Sequence, residues 1–153
     1  QLIEKQKVRY TYGVLERQFR RIFAQAERQP GITGENLQVL LERRLDNVVY
    51  RLGFADSRAQ ARQLVQHGHI MLNGHKTDIP SCLVKEGDTI SWKESSTKSE
   101  YCKQLLESIN AKSVVTWLGL DRENLVGRAL SLPTPDDVDA KLDGKAVVEY
   151  YSR

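Results

Sequence analysis

Arg58, Arg62 and Gln66 recur at four-residue intervals, the spacing that places side chains on one face of a helix. Guanidinium forks donate in pairs to phosphate oxygens, and the unpaired amides at a helix amino end favour the same anions. The chain runs on through His67 and His69 to Asn73-Gly74, the strongest short signal for a tight hairpin, and then to His75 and Lys76. A helix followed at once by a hairpin sets these groups along one edge. Mixed donors of this kind suit folded RNA, which is read through shape, phosphates and 2′-hydroxyls. The competing reading is a solvated helix face.

Other chemistries find little support. The ten glycines are scattered and make no phosphate-binding loop. His67, His69 and His75 have no cysteine or carboxylate at a supporting spacing, so no metal is expected. Cys82 reads as a small residue in or beside a sheet, and Cys102 as a helix residue with no histidine following it. Two cysteines also exclude a disulfide scaffold. Asp46, in Arg44-Leu45-Asp46, stands at a helix start, where the dipole favours a carboxylate. The expectation is a protein without catalysis and without a cofactor.

The elements that must position these residues follow from periodicity. The chain has 153 residues, 40% hydrophobic and 28% charged, values of one globular domain or of a domain with a smaller annex. No run approaches the ~20 apolar residues of a membrane span, and Gln1 to Arg9 is too polar for a signal peptide. The start at Gln1 reads as a processed or trimmed terminus. Net charge is +3, unevenly spread: residues 1–28 carry +4, residues 29–92 balance, and residues 93–153 carry −1. The excess at the amino end points to a polyanionic partner.

Val8, Tyr12, Leu15, Phe19, Ile22, Phe23 and Ala26 fall in steps of three and four, which predicts one amphipathic helix over 7–26. Arg17, Gln18, Arg20 and Arg21 lie off that stripe, on exposed flanks. Pro30-Gly31 stops the helix, and Thr33 caps a second one through Leu41. A third carries Leu45, Val48, Val49 and Leu52 and ends at Gly53. Ser57-Arg58-Ala59-Gln60 has the form of a capping box for a fourth, which ends at Gly68. The period then drops to two: strands are expected at Ile70–Leu72, in the returning segment His75–Pro80, at Ser81–Val84 and at Thr89–Trp92, with a turn at Glu86–Asp88. Lys93–Ser99 reads as a polar linker, Tyr101–Ile109 as a helix, Trp117–Leu120 as extended, Leu132–Val138 as a loop, and Ala146–Tyr151 as a terminal strand or extended tail. The class is α+β: helices, then a small antiparallel sheet.

The run Ser57-Arg58-Ala59-Gln60-Ala61-Arg62-Gln63-Leu64-Val65-Gln66-His67-Gly68-His69-Ile70, with Leu72-Asn73-Gly74, resembles the compact RNA-binding module named after the fourth small-subunit ribosomal protein. That module also occurs in pseudouridine synthases, a tyrosyl-tRNA synthetase tail and a heat-shock RNA-binding protein. The flanks narrow the choice. Glu4-Lys5-Gln6-Lys7-Val8-Arg9, Tyr12 to Arg21, Thr33 to Leu37, Leu41 to Phe54 and Val148 to Arg153 are similar to the ribosomal family itself. The likeness is dense over 1–92 and at the carboxyl end, and loose over 93–145.

The resemblance implies a helical domain, 1–40 with 129–153, completed by the carboxyl tail. It implies an RNA-binding domain over 41–128, with a core module at 43–92 of helices packed on a small antiparallel sheet. It implies a structural constituent of the small subunit that binds small-subunit ribosomal RNA early and nucleates assembly, near the channel by which messenger RNA enters. Partners would be that RNA, neighbouring small-subunit proteins and messenger RNA, with no membrane. The setting would be a bacterial cytoplasmic ribosome, an organellar one being the alternative. The residues and the resemblance together mark Lys5, Lys7, Arg9, Arg17, Gln18, Arg20, Arg21, Arg44, Asn47, Arg51, Ser57, Arg58, Arg62, Gln63, Gln66, His67, His69, Asn73, His75 and Lys76 as RNA-binding.

The sequence departs from the family pattern in places. The family's basic amino-terminal arm, which often carries a zinc site, has no counterpart before Gln1, so zinc binding is not carried over. His75 stands where the hairpin often has Arg, and Cys82 where an aromatic is common. Residues 121–143 are more acidic than the pattern suggests. A free-standing RNA-binding regulator or chaperone is one alternative function. A fragment of a pseudouridine synthase is another, since Arg-Leu-Asp carries the catalytic aspartate in those enzymes.

Overall fold

The computed structural model describes residues 2–137 and 144–151. Val138, at the far end of the expected loop, and Ser152 and Arg153, at the end of the tail, lie outside the described residues. Along the chain run α1 (Leu2–Tyr12), α2 (Glu16–Arg28), α3 (Thr33–Glu42), α4 (Leu45–Arg51), α5 (Arg58–Gln66), β1 (Ile70–Leu72), β2 (His75–Lys76) and β3 (Thr89–Trp92). Then follow α6 (Glu94–Thr97), α7 (Glu100–Ser108), β4 (Leu118–Asp121), β5 (Val126–Ala129) and α8 (Gly144–Tyr151). Two compact units result: residues 1–42 with 133–153, and residues 43–132.

In the first unit the expected helix over 7–26 is two helices. Gly13 takes φ +67, the left-handed conformation that closes a helix at little cost only for glycine. The amide of Val14 reaches back to the Arg9 carbonyl at 3.0 Å, and the chain restarts at Glu16. The apolar stripe survives the break, with Val8 and Tyr12 buried in α1 and Phe19, Phe23 and Ala26 buried in α2. Leu15, at the break, is 68% exposed. Thr33 does not cap α3 but lies inside it, and the Ile32 carbonyl accepts the Asn36 amide at 2.9 Å. The Asn36 side chain donates to the carbonyls of Ala26, Gln29 and Pro30, gathering the end of α2.

The tail is a helix, not a strand. Val147, Val148, Tyr150 and Tyr151 favour a strand by propensity, but packing decides. Helix α8 packs against α1 and α3, with Val147 buried and the Tyr151 ring 4.4 Å from Phe23 and 6.2 Å from Phe19. Lys5, 3% exposed, is bonded to Glu16, with the rings of Tyr150 and Tyr151 about its ammonium at 4.9 and 5.3 Å. The hydrogen bond from Lys5 holds the Glu16 carboxyl below its ordinary range. Burial is the largest single influence on Lys5 and pushes it down, but the bond to Glu16 and the nearby Glu16 and Tyr151 oxygens together outweigh it and leave the ammonium raised. A carboxyl lowered by folding stabilises above its unfolded pKa and loses that contribution as pH falls through its folded one. The stability difference between wild type and Glu16→Gln should therefore be full at neutral pH. It should shrink as pH drops below the ordinary carboxylate range, as followed by urea midpoints across an acid series.

In the second unit the strands make an antiparallel sheet in the order β2-β1-β3-β5-β4. Asn73 (φ +52) and Gly74 (φ +80) form the tight turn their types suggest. The return is shorter than expected: His75 and Lys76 pair with β1, the Thr77 amide makes a last bond to the Ile70 carbonyl at 3.1 Å, and the chain then leaves the ladder ahead of Pro80, which has no amide to offer. Ser81–Val84 adds a single bridge, Leu83 to Arg44. Lys93–Ser99 is not an open linker: it holds α6, with Ser96 buried. The loop ahead of residue 138 holds a turn of 3₁₀ helix, Pro135–Asp137.

Strand β5 had no clear signal in the sequence, and its reason is close packing. A Cβ on Gly127 would lie 2.4 Å from Leu52 Cδ1, and Leu52, which caps the carboxyl end of α4, is fully buried. Gly127→Ala should lower stability by about 1–3 kcal/mol, the usual range for an overfilled site. Thermal melts of Gly127→Ala beside Gly119→Ala, where the nearest atom to a new Cβ is at 3.3 Å, would show it. Below the sheet, Leu45, Val48 and Val49 of α4 and Leu52 just past its end meet Ala61 and Val65 of α5 and Ile70, Ile90, Trp92, Cys102 and Trp117 in one core. Among the described residues no helix is long and apolar enough to cross a membrane.

Candidate nucleic-acid interface

The candidate surface in the second unit is built where the first turn of α4 meets the outer face of α5. Ser57 starts α5 by accepting the Gln60 amide on Oγ at 3.1 Å. Gln60 answers one residue further back than a reciprocal box would, accepting the Asp56 amide at 2.7 Å. This fixes the helix from its first residue, so Arg58 and Arg62 stand one turn apart on the side facing α4.

There the two arginines find partners. Arg58 Nε donates to Asn47 Oδ1 at 2.8 Å, and its guanidinium lies 4.6 Å from the centre of the Tyr50 ring. Arg62 Nε donates to Asp46 Oδ2 at 3.3 Å. Asp46 also takes both prongs of Arg44 at 3.1 Å and the Asn47 amide at 2.7 Å. Three guanidiniums thus gather about the first turn of α4 with Asp46 as the carboxylate among them. The excess of positive charge suits an anion with several oxygens.

The marked residues separate by exposure. Lys5, Arg44 and Asn47 are 3%, 3% and 1% exposed, which corrects their reading as surface contacts: each is spent on partners inside its unit. Arg9 is half-buried and donates to Gln6 and to the Val14 carbonyl. Arg51 and Gln18 are half-buried as well. Lys7, Arg17, Arg20 and Arg21 are exposed on α1 and α2, with Arg20 3.2 Å from Glu16. In the second unit Ser57, Gln63, Gln66, His67, Asn73, His75 and Lys76 are exposed. His69 is half-buried, with Nδ1 2.8 Å from Ser96 Oγ.

Asn73 serves the hairpin first, accepting the Thr89 amide and donating to Asp88. Lys76 is brought to the end of α5: a Cβ on Gly68 would lie 2.5 Å from Lys76 Cε. A cation belongs at that helix end, where the dipole is negative. Gly68, at φ +78, leaves room for the stem. Tyr50, the ring beneath Arg58, is not among the residues that the sequence marks. Its signal was its place one turn beyond Asp46 and Asn47 on α4, facing the same helix as they do. Among the described residues no three His, Cys, Asp or Glu side chains gather as metal ligands.

Comparison with known proteins agrees with both units. Residues 43–90 match the family described as S4 domain, and residues 1–42 match the Ribosomal protein S4/S9 N-terminal domain. The small ribosomal subunit protein uS4 of Dehalococcoides mccartyi (strain CBDB1) is 58% identical over 153 residues, all of this chain and 74% of that protein. The proteins of the same name from Roseiflexus sp. (strain RS-1) and Thermoanaerobacter sp. (strain X514) are 54% and 56% identical, again over the whole chain and over 75% and 73% of their own length. An identity this high, sustained through both units and across three-quarters of each relative, places the chain in the small ribosomal subunit protein uS4 family.

Proposed function

We propose that the chain is a structural constituent of the small ribosomal subunit and binds the small-subunit ribosomal RNA directly. The observation that carries this is the pair Arg58 and Arg62, set one turn apart on α5 and held by Asn47 and Asp46 at the first turn of α4, with Lys76 at the far end of α5. The exposed arginines of α2 offer a second basic face, on the other unit. The chain acts as a binder and scaffold in this reading: it joins the RNA before most other proteins and nucleates their assembly. Neighbouring small-subunit proteins and the incoming messenger RNA are its further partners, in a bacterial cytoplasm.

One observation weighs against the modifying-enzyme alternative. Asp46 is 1% exposed and accepts hydrogen bonds from Arg44, Arg62 and the Asn47 amide. A carboxylate so enclosed has no open face for attack on a base. The test is stepwise reconstitution. The chain alone is mixed with small-subunit ribosomal RNA and sedimented, and the remaining small-subunit proteins are then added with or without it. Co-sedimentation with the bare RNA, and failure of later proteins to join when it is omitted, is the expected result. A chain that joins only after the others are in place would overturn its role as an early binder.

A further inference from the structure

We infer that Asn47 and Asp46 are positioning residues: they tie the two arginines of α5 by Nε and so fix how each guanidinium meets RNA. The inference rests on the RNA-binding reading above and concerns what that reading leaves open, the role of two buried polar side chains in the interface.

Asn47 and Asp46 are adjacent in the first turn of α4, and each is 1% exposed. Neither has a surface to offer RNA. Each instead accepts from the same atom type on the same face of α5: Arg58 Nε at 2.8 Å and Arg62 Nε at 3.3 Å. A guanidinium is planar and rigid, so a bond at Nε sets the direction of its other N–H edges. Arg58 has a second hold too, its guanidinium carbon lying over the Tyr50 ring 4.6 Å from the centroid. A long side chain held in advance loses less freedom when it binds.

The two anchors differ in charge, and the difference has a use. Asn47 orients Arg58 without cancelling any of its charge. Asp46 brings one negative charge, yet two arginines share it, so the Arg44–Asp46–Arg62 group remains cationic. Orientation and charge can therefore be separated by experiment at position 47. Asn47→Ala removes the anchor and leaves the cation in place. Asn47→Asp keeps an acceptor oxygen and adds a negative charge.

The experiment is filter binding of the full chain to small-subunit ribosomal RNA across a salt series. The variants are Asn47→Ala, Asn47→Asp, Arg58→Ala and the double variant Asn47→Ala with Arg58→Ala. Asn47→Ala should weaken binding roughly two- to twelvefold, the range for one side chain that must now be ordered on binding. Its log–log salt slope should match wild type, because no charge is lost. Arg58→Ala should shallow the slope by ~0.7–0.9. In the Arg58→Ala background the further change Asn47→Ala should cost less than about twofold, since its effect runs through Arg58.

Equal losses in both backgrounds, or no loss in either, would overturn the inference. Should Asn47→Ala fail to fold, the wild type alone decides by side-chain nitrogen relaxation. An Arg58 Nε–H as ordered as the backbone, with an order parameter near ~0.85, supports anchoring, and one below ~0.6 overturns it. A wild type that shows no salt-dependent binding to this RNA would instead overturn the RNA-binding reading, and the relaxation measurement would still decide the anchoring.

Discussion

Asp46→Ala should destabilise the second unit by about 3–5 kcal/mol, the cost of removing one partner from a buried ion pair. Arg44 is 3% exposed, and both its prongs rest on Asp46 at 3.1 Å. Without the carboxylate the guanidinium is left in the interior with its compensating charge gone. The Asn47 amide loses an acceptor in the same step. Asp46→Asn should cost less, because one oxygen remains to accept. Urea unfolding of the three proteins reads both effects. A loss below about 1 kcal/mol for the alanine variant would show that Arg44 does not depend on this carboxylate.

The second large effect belongs to the first unit. Phe19→Ala should cost about 3–5 kcal/mol, as emptying a core aromatic site usually does. Phe19 is fully buried and lies 6.2 Å from the Tyr151 ring, centre to centre. One position on, Arg20 is 69% exposed and pairs with Glu16 across one turn. Arg20→Ala should shift stability by no more than ~0.5 kcal/mol, the value of such an exposed pair. It should weaken RNA binding instead. If Arg20→Ala melted the unit and Phe19→Ala did not, the faces assigned to α2 would be inverted.

What was legible in the sequence was what local chemistry decides. Asn73-Gly74 named its own turn, because both positions need φ above zero and these residue types tolerate it. Ser57 named the start of α5, because its hydroxyl supplies an acceptor that the helix end lacks. The break between α1 and α2 was hidden because the three- and four-residue steps run on past Gly13 almost in phase. The tail misled for the opposite reason: its β-branched and aromatic residues speak for a strand, and packing against α1 and α3 makes it a helix. Strand β5 carried little signal, since Gly127 is there to admit Leu52 and not to favour a strand.

The interface was read in outline and not in depth. The spacing of Arg58 and Arg62 locates the face but says nothing of what packs against it. Arg62 is only 28% exposed on its side chain, because α5 lies against the first turn of α4. That meeting is made by tertiary packing, and residues 16 positions apart, such as Asp46 and Arg62, give no periodic sign of it. The same holds for Arg44 and Lys5, whose charge suggested a surface role. Their burial depends on Asp46 and Glu16, partners that composition cannot assign.

In the function proposed above, arginines of the α4–α5 face grip small-subunit ribosomal RNA by its phosphates. A salt titration of that binding, for wild type, Arg62→Ala and Arg62→Lys, tests it most directly. Wild-type affinity should fall steeply and linearly on logarithmic axes. Arg62→Ala should shallow the slope by ~0.7–0.9, one phosphate's worth of released counterions. Arg62→Lys should restore the slope but only part of the affinity, because a point charge lacks the paired donors. Binding that hardly responds to salt, or an Arg62→Ala variant with the slope and affinity of wild type, would contradict the claim and move the RNA-binding surface elsewhere on the chain.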